Sequence, residues 1–265
     1  MNIGFLITVR LKSTRLPRKV LKDLNGMTVL GHVIERAKRV AGIDEIVVCT
    51  STNPQDRPLL DVARDHGVYW FTGSEHDVLD RLRHTSTDYG FDYVLGITGE
   101  NPLFSISHAS LLAAALTRQR CDFITIEGLP FGCAAWGMDT RTMQTACEIK
   151  PVSDTEFWGH LVNKPEVFDV QQISARDDYR RPHYIFSLDY PEDYALACHI
   201  FEKFREQTLP RLREVIEYID GHPRLMKPAA DRPRLLPAVE QLENIDRFFN
   251  ENRQTILKTK NRYYS

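Results

Sequence analysis

The chain lacks any Cys-x-x-Cys pair or Cys/His ligand spacing: Cys49, Cys121, Cys133, Cys147 and Cys198 are scattered and odd in number. That excludes a zinc ligand set readable from sequence, as well as a disulfide scaffold, and it fits reduced thiols in a cytoplasm. No apolar run approaches the ~20 residues of a membrane span. The N-terminal stretch Ile3–Val9 is too short, and has no basic flank before it, to read as a secretory signal. We therefore expect a soluble, cytoplasmic protein with no membrane insertion. Charge of one sign is also missing: 34 Lys+Arg against 36 Asp+Glu give a net charge of −2. Without a global positive field no nucleic-acid partner is expected, and any nucleotide must be held by a local basic cluster. There is no internal repeat, no low-complexity tract, and no Asp-x-Asp in an apolar-strand context. What remains is an ordinary globular composition, 42% hydrophobic and 26% charged over 265 residues, long enough to bury a core without staples.

Apolar runs alternate with helical spacing through the first half. Ile3–Val9, Glu45–Ser51, Val68–Phe71, Tyr93–Ile97 and Asp122–Ile126 read as strands. Val29–Val40, Arg57–His66, Asp77–Tyr89 and His108–Gln119 read as helices between them. That order implies an α/β fold, a Rossmann-like mostly parallel sheet with helices on both faces. Ligands in such sheets bind beyond the carboxyl ends of strands, here the segments after Val9, Ser51, Ile97 and Leu188. Residues 128–181 are less regular and are expected to form substrate-side loops and an inserted arm. Ile185–Leu188 reads as a returning strand, Tyr194–Gln207 and Leu212–Gly221 as helices. The expected division is a domain over 1–225, then a proline-rich linker from 226, a helix Val239–Thr255 and a frayed basic tail Lys258–Arg262.

The loop after the first strand carries Arg10, Lys12, Arg15, Arg18, Lys19 and Lys22 within thirteen residues and no acid. Forked guanidiniums match the paired oxygens of a triphosphate, Ser13 adds a hydroxyl, and the loop amides can form an anion nest. An isolated run of this kind is usually a solvated face. Its place at a strand end, with Pro17 fixing the backbone, favours phosphate binding.

Two carboxylate sites complement it. Glu100 follows the fourth strand and Asp189 precedes a helix opened by Pro191-Glu192-Asp193. One acid at each of two strand ends suits Mg²⁺, which takes one or two protein carboxylates plus phosphate oxygens and water. Glu192 and Asp193 are better explained as first-turn acids opposing the helix dipole, and a cap remains the alternative for Asp189.

The series Val9–Leu21, Asn25-Gly26, Glu45–Ser51, Gly73–Arg81, Ile97–Leu103 and Asp189–Asp193 resembles the cytidylyltransferases, specifically the spore-coat polysaccharide cytidylyltransferase-like branch, relatives of the CMP-sialate and CMP-KDO synthetases. The resemblance covers about residues 1–205. It implies the nucleotide-diphospho-sugar transferase type of fold with an inserted arm, commonly paired as a homodimer. It also implies transfer of CMP from CTP to a small anionic acceptor. By resemblance Arg10, Ser13, Arg15 and Lys19 hold the triphosphate, with Arg15 and Lys19 catalytic. Asp80, Arg81 and Thr98 lie with the nucleotide, Asp80 orienting Arg81, although Asp77–Arg81 also fits a plain helix start. Glu100 and Asp189 hold the metal. Relatives usually have Asp where this chain has Glu100. Glu156 and His160 fall loosely where relatives present a Glu-His pair to the acceptor. Phe157 and Trp158 are expected in the core or a dimer contact rather than under a base. The alternatives left open are a glycosyltransferase of similar fold and a non-catalytic CTP or CMP sensor or pathway scaffold.

Overall fold

The computed structural model describes residues 1–226 and 237–265; most of the expected linker lies outside them. A seven-stranded sheet forms the centre. Its strands are β1 (Ile3–Thr8), β4 (Glu45–Ser51), β5 (Tyr69–Gly73), β6 (Tyr93–Thr98), β7 (Phe123–Glu127), β8 (Trp136–Asp139) and β9 (Val170–Ser174), in the spatial order β5-β4-β1-β6-β8-β7-β9. A separate two-stranded ribbon pairs β2 (Asp23–Leu24) with β3 (Met27–Thr28). All six residues of β1 are buried, as expected of a strand covered on both faces by crossover helices.

The helices among the described residues are α1 (Val29–Ala37), α2 (Arg57–Asp65), α3 (Val78–Asp88), α4 (Ile106–Arg118), α5 (Thr140–Ile149), α6 (Gly159–Val162), α7 (Pro191–Lys203), α8 (Leu212–Gly221) and α9 (Val239–Tyr264). Local chemistry sets several starts. The Thr28 hydroxyl accepts from Gly31 N, Asp77 from Asp80 N, and Asp139 from Arg141 N, each satisfying an amide that has no partner inside its helix.

The parallel register sets Thr8 beside both Cys49 and Thr98. The loops that follow β1, β4 and β6 therefore leave the sheet along one edge, which is the crevice expected of this architecture. Gly96 permits the close packing of β6: a Cβ there would come within 2.1 Å of the Trp136 ring.

The structure corrects three expectations. Residues 128–181 are more regular than their sequence implies. They supply β8, which runs antiparallel between β6 and β7, as well as α5, α6 and the edge strand β9. Ile185–Leu188 is not a strand. Ile185 makes an isolated bridge to Phe131, and then Leu188 N donates to Glu100 O (3.1 Å), so the segment divides its backbone bonds between two loops and builds no ladder. Finally, Lys258–Arg262 is not frayed. It continues α9, whose Ile245, Phe249 and Ile256 are buried. Asp122 is only 5% exposed and would be a costly unpaired charge. Lys260 pairs with it, and the Tyr264 hydroxyl donates to its other oxygen (2.6 Å).

Candidate active site

The basic loop is pinned at its root. Leu11 N donates to Asp56 Oδ1 (2.7 Å) and the Ser51 hydroxyl to Asp56 Oδ2 (2.5 Å). The buried Asp56 carboxylate thus ties the loop after β1 to the end of β4. Sequence reading missed it, because an acid between Pro54 and Pro58 at a helix start looks like an ordinary cap. Hydrogen bonds to a buried charge contribute about 1.5–3 kcal/mol each. Asp56→Ala should lower the melting temperature and raise KM for the nucleotide about tenfold or more through loop misplacement. Unchanged KM, with only a stability loss, would reduce Asp56 to a structural brace.

Further along, Arg18 lies in the left-handed region (φ 53°), uncommon for a residue other than glycine. It leads into the 3₁₀ turn Lys19–Leu21. Ser13 Oγ accepts from Leu16 N (3.4 Å) and stabilises the bend. Lys19 reaches across to the two carboxylates: its Nζ donates to Asp189 Oδ1 (2.9 Å) and lies 3.9 Å from Glu100 Oε1. Arg15 approaches the same Asp189 oxygen (3.3 Å) and stands over the Tyr190 ring, 4.8 Å from its centroid. Asp189 does not act as a cap. Asp193 does so instead, accepting from the backbone N of Asp189 and Tyr190. Arg15, Lys19, Glu100 and Asp189 therefore form one half-buried cluster at the carboxyl edge of β1 and β6.

This geometry fits a divalent cation. The Glu100 and Asp189 side chains converge on one cationic centre, Lys19 Nζ, and the Leu188–Glu100 backbone bond fixes their loops together. The donors are hard carboxylate oxygens. Among the described residues no group of three or more His, Cys, Asp or Glu could hold a metal ion. A cation here would need nucleotide oxygens to complete its shell.

The other expected residues sit differently. Arg10 donates to Glu75 O (2.5 Å) and lies 3.6 Å from Glu156, so Glu156 meets the base of the cationic loop. Hydrogen bonding from Asn53, with the nearby charges of His76, Lys12 and Arg10, holds the Glu75 carboxyl below its usual range. Arg81 is 1% exposed and donates to Ser74 O (2.7 Å), bracing the loop that carries Glu75. Burial pushes its pKa down to about 10, so it stays charged. Asp80 does not orient it. That carboxylate grips Arg83 instead (2.6 Å), because Arg83 follows at i+3 on the exposed side of α3. Thr98 is exposed, and its hydroxyl accepts from Asn101 Nδ2 (2.7 Å). His160 is not beside Glu156 in any contact. Partial burial and the Lys164 charge hold its pKa below the usual value, against the opposing charge of Asp246. Trp158 packs edge-on against Trp136 and Phe123, a core role.

A mostly parallel α/β sheet whose strand edge gathers a cationic loop and a carboxylate pair defines a nucleotide-handling domain. The chain belongs to the cytidylyltransferase family, whose pattern matches residues 5–209. It is 26% identical to the spore coat polysaccharide biosynthesis protein SpsF of Bacillus subtilis over 230 residues, 84% of this chain and 95% of that protein. It is 32% identical over 269 residues to 3-deoxy-manno-octulosonate cytidylyltransferase of Francisella tularensis subsp. tularensis, covering 94% of this chain and 99% of that one. The fold is shared with a cytidylyltransferase structure from Leptospira borgpetersenii (TM-score 0.80, 22% identity, 89% of this chain and 100% of that one).

Proposed function

We propose that the protein transfers CMP from CTP to a small anionic acceptor with release of pyrophosphate, using Mg²⁺. The observation that carries this reading is the convergence of Lys19 and Arg15 on the Glu100–Asp189 pair. When nucleotide arrives, the cations exchange carboxylate partners for phosphate oxygens and free both acids. Bound there, Mg²⁺ would neutralise phosphate charge and help orient the α-phosphate. Arg10, Ser13 and Arg15 position the triphosphate, and Lys19 offsets charge developing on pyrophosphate. An acceptor oxygen forms its bond to the α-phosphorus as the bond to the β-phosphate oxygen breaks; the electron pair leaves with pyrophosphate. Catalysis then rests on positioning and charge neutralisation.

The acceptor belongs to the sugar acids or to phosphate- or phosphonate-bearing metabolites. One similar protein is named for 3-deoxy-manno-octulosonate and another for spore-coat polysaccharide biosynthesis, which favours a surface-polysaccharide role. Thr98 and Arg81 serve the nucleotide side, Arg81 by bracing the loop at Ser74; Glu156 faces the acceptor. A homodimer paired through residues 128–181 and a cytoplasmic location complete the reading.

The test is selective stabilisation and turnover. CTP with Mg²⁺ should raise the melting temperature more than ATP, GTP or UTP, and a panel of sugar acids and phosphonates should reveal pyrophosphate release. Equal stabilisation by all four nucleotides would overturn the cytosine assignment.

An acceptor that attacks through an oxygen already ionised, a phosphate or a carboxylate, has no proton to lose and needs no general base, whereas a base removed from a reaction that uses one costs about 10²–10⁴-fold. His160→Ala should therefore lower turnover less than about tenfold. A hundredfold loss, together with disappearance of a low-pH limb seen in the unsubstituted protein's profile, would make His160 the base and the acceptor a hydroxyl.

A further inference from the structure

A cavity of about 520 Å³ opens where the first turns of α4 and α8 meet α1. None of Arg10, Arg15, Lys19, Glu100 or Asp189 lines it. Its size falls in the range of small-molecule sites. Ile106, Leu209, Pro210 and Leu212 give it an apolar wall.

Its polar side is unusual. Arg36 lines the cavity yet is only 2% exposed, and among the described residues no carboxylate pairs with it. Two of its donors are used, Nε on Phe104 O and NH1 on Pro210 O, both 2.8 Å. Neither carbonyl supplies a countercharge. Burial lowers the guanidinium pKa to about 10, which leaves it cationic near neutral pH. The guanidinium also stands over the Phe104 ring, 5.7 Å from its centroid, but a ring face and two carbonyls leave it without a formal countercharge, and a buried cation is normally met by an opposite charge.

The two helix starts add to this. Neither Ser105 before α4 nor Arg211 before α8 makes a side-chain capping bond; the Ser105 hydroxyl contacts His108 Nδ1 instead (2.7 Å). First-turn amides without caps carry partial positive charge and accept anions. Glu214 and Glu217 also line the cavity, but each is paired, Glu214 with Arg211 (3.1 Å) and Glu217 with Arg213 (2.9 Å). The surplus charge of the lining is that of Arg36.

We propose that this cavity is a second ligand site, taking a small molecule whose phosphate or carboxylate group meets Arg36 and the starts of α4 and α8 while its apolar body lies against Leu209 and Leu212. The experiment uses the full chain carrying Arg15→Ala and Lys19→Ala, which disables the nucleotide cluster. Inorganic phosphate and benzoate are titrated separately by calorimetry and by amide chemical shifts. We expect saturable binding of at least one probe, with the Ser107 and Arg213 amides shifting more than those of residues 10–19. Phosphate binding alone assigns a phosphate ligand, and benzoate binding alone assigns a carboxylate. Ser107 is an exposed cavity residue, so Ser107→Trp should fill the space without touching the Arg36 contacts and weaken binding at least about tenfold. Arg36→Met should do the same if it folds. Binding of neither probe, or affinity unchanged by Ser107→Trp, would overturn the proposal.

Discussion

Glu100→Ala should abolish metal-dependent turnover while leaving the fold intact. Glu100 is a half-buried loop residue whose side chain meets only Lys19 among the ion pairs described, at 3.9 Å, so little of the core depends on it. Its backbone oxygen, which truncation leaves in place, holds Leu188 N. On the proposed reading, truncation removes one of two carboxylates for a Mg²⁺ ion, which takes oxygen donors at ~2.0–2.1 Å in near-octahedral geometry. Glu100→Asp should retain activity within about two orders of magnitude, because a displacement of the carboxylate on the 1 Å scale can cost ~10²-fold. Chelation of the metal should reproduce the Ala phenotype in the unsubstituted protein and add nothing to the Ala variant. Full activity in Glu100→Ala would remove it from the metal site.

Lys19→Ala should lower turnover about 10²–10³-fold, the usual cost of removing one preorganised group aimed at developing charge. It should also have an opposite effect on metal binding without nucleotide. Lys19 is 11% exposed in its side chain and occupies an oxygen of Asp189 at 2.9 Å. On the proposed reading, Lys19 in the nucleotide-free protein would compete with a divalent cation for the same carboxylates. Removing it leaves Glu100 and Asp189 facing one another with less positive charge between them, which favours a divalent ion. Titration with Mn²⁺ in the absence of CTP should therefore show tighter binding in Lys19→Ala and weaker binding in Glu100→Ala. Equal metal affinity in both variants would mean that Lys19 and Glu100 do not share a site.

The parts of this architecture that were legible are those whose causes are local. The buried run of β1 and the segment Glu45–Ser51 are continuous apolar stretches, and α8 (Leu212–Gly221) shows helical spacing. β8 was not legible because it is four residues long and contains a glycine; its place between β6 and β7 comes from pairing, not propensity. The docking of the α9 tail depends on Asp122, more than a hundred residues away from Lys260 and Tyr264, and no local pattern records that contact. The site divides in the same way. The cationic loop and the two acids announce themselves by type and position, and Lys19, Arg15, Glu100 and Asp189 do converge. Asp56 was hidden because its chemistry looks like capping until Leu11 and Ser51 are seen to share its carboxylate. Asp80 misled for the converse reason: a residue adjacent to Arg81 in sequence points elsewhere on α3 and finds Arg83.

The most direct measurement is a crystal structure of the full chain with CTP and Mg²⁺. We expect one metal ion between Glu100 and Asp189, its remaining positions filled by phosphate oxygens and water, with Lys19 and Arg15 moved from Asp189 onto the triphosphate. A triphosphate bound away from the Arg10–Lys19 loop, or a metal held by Asp189 alone with Glu100 turned away, would contradict it.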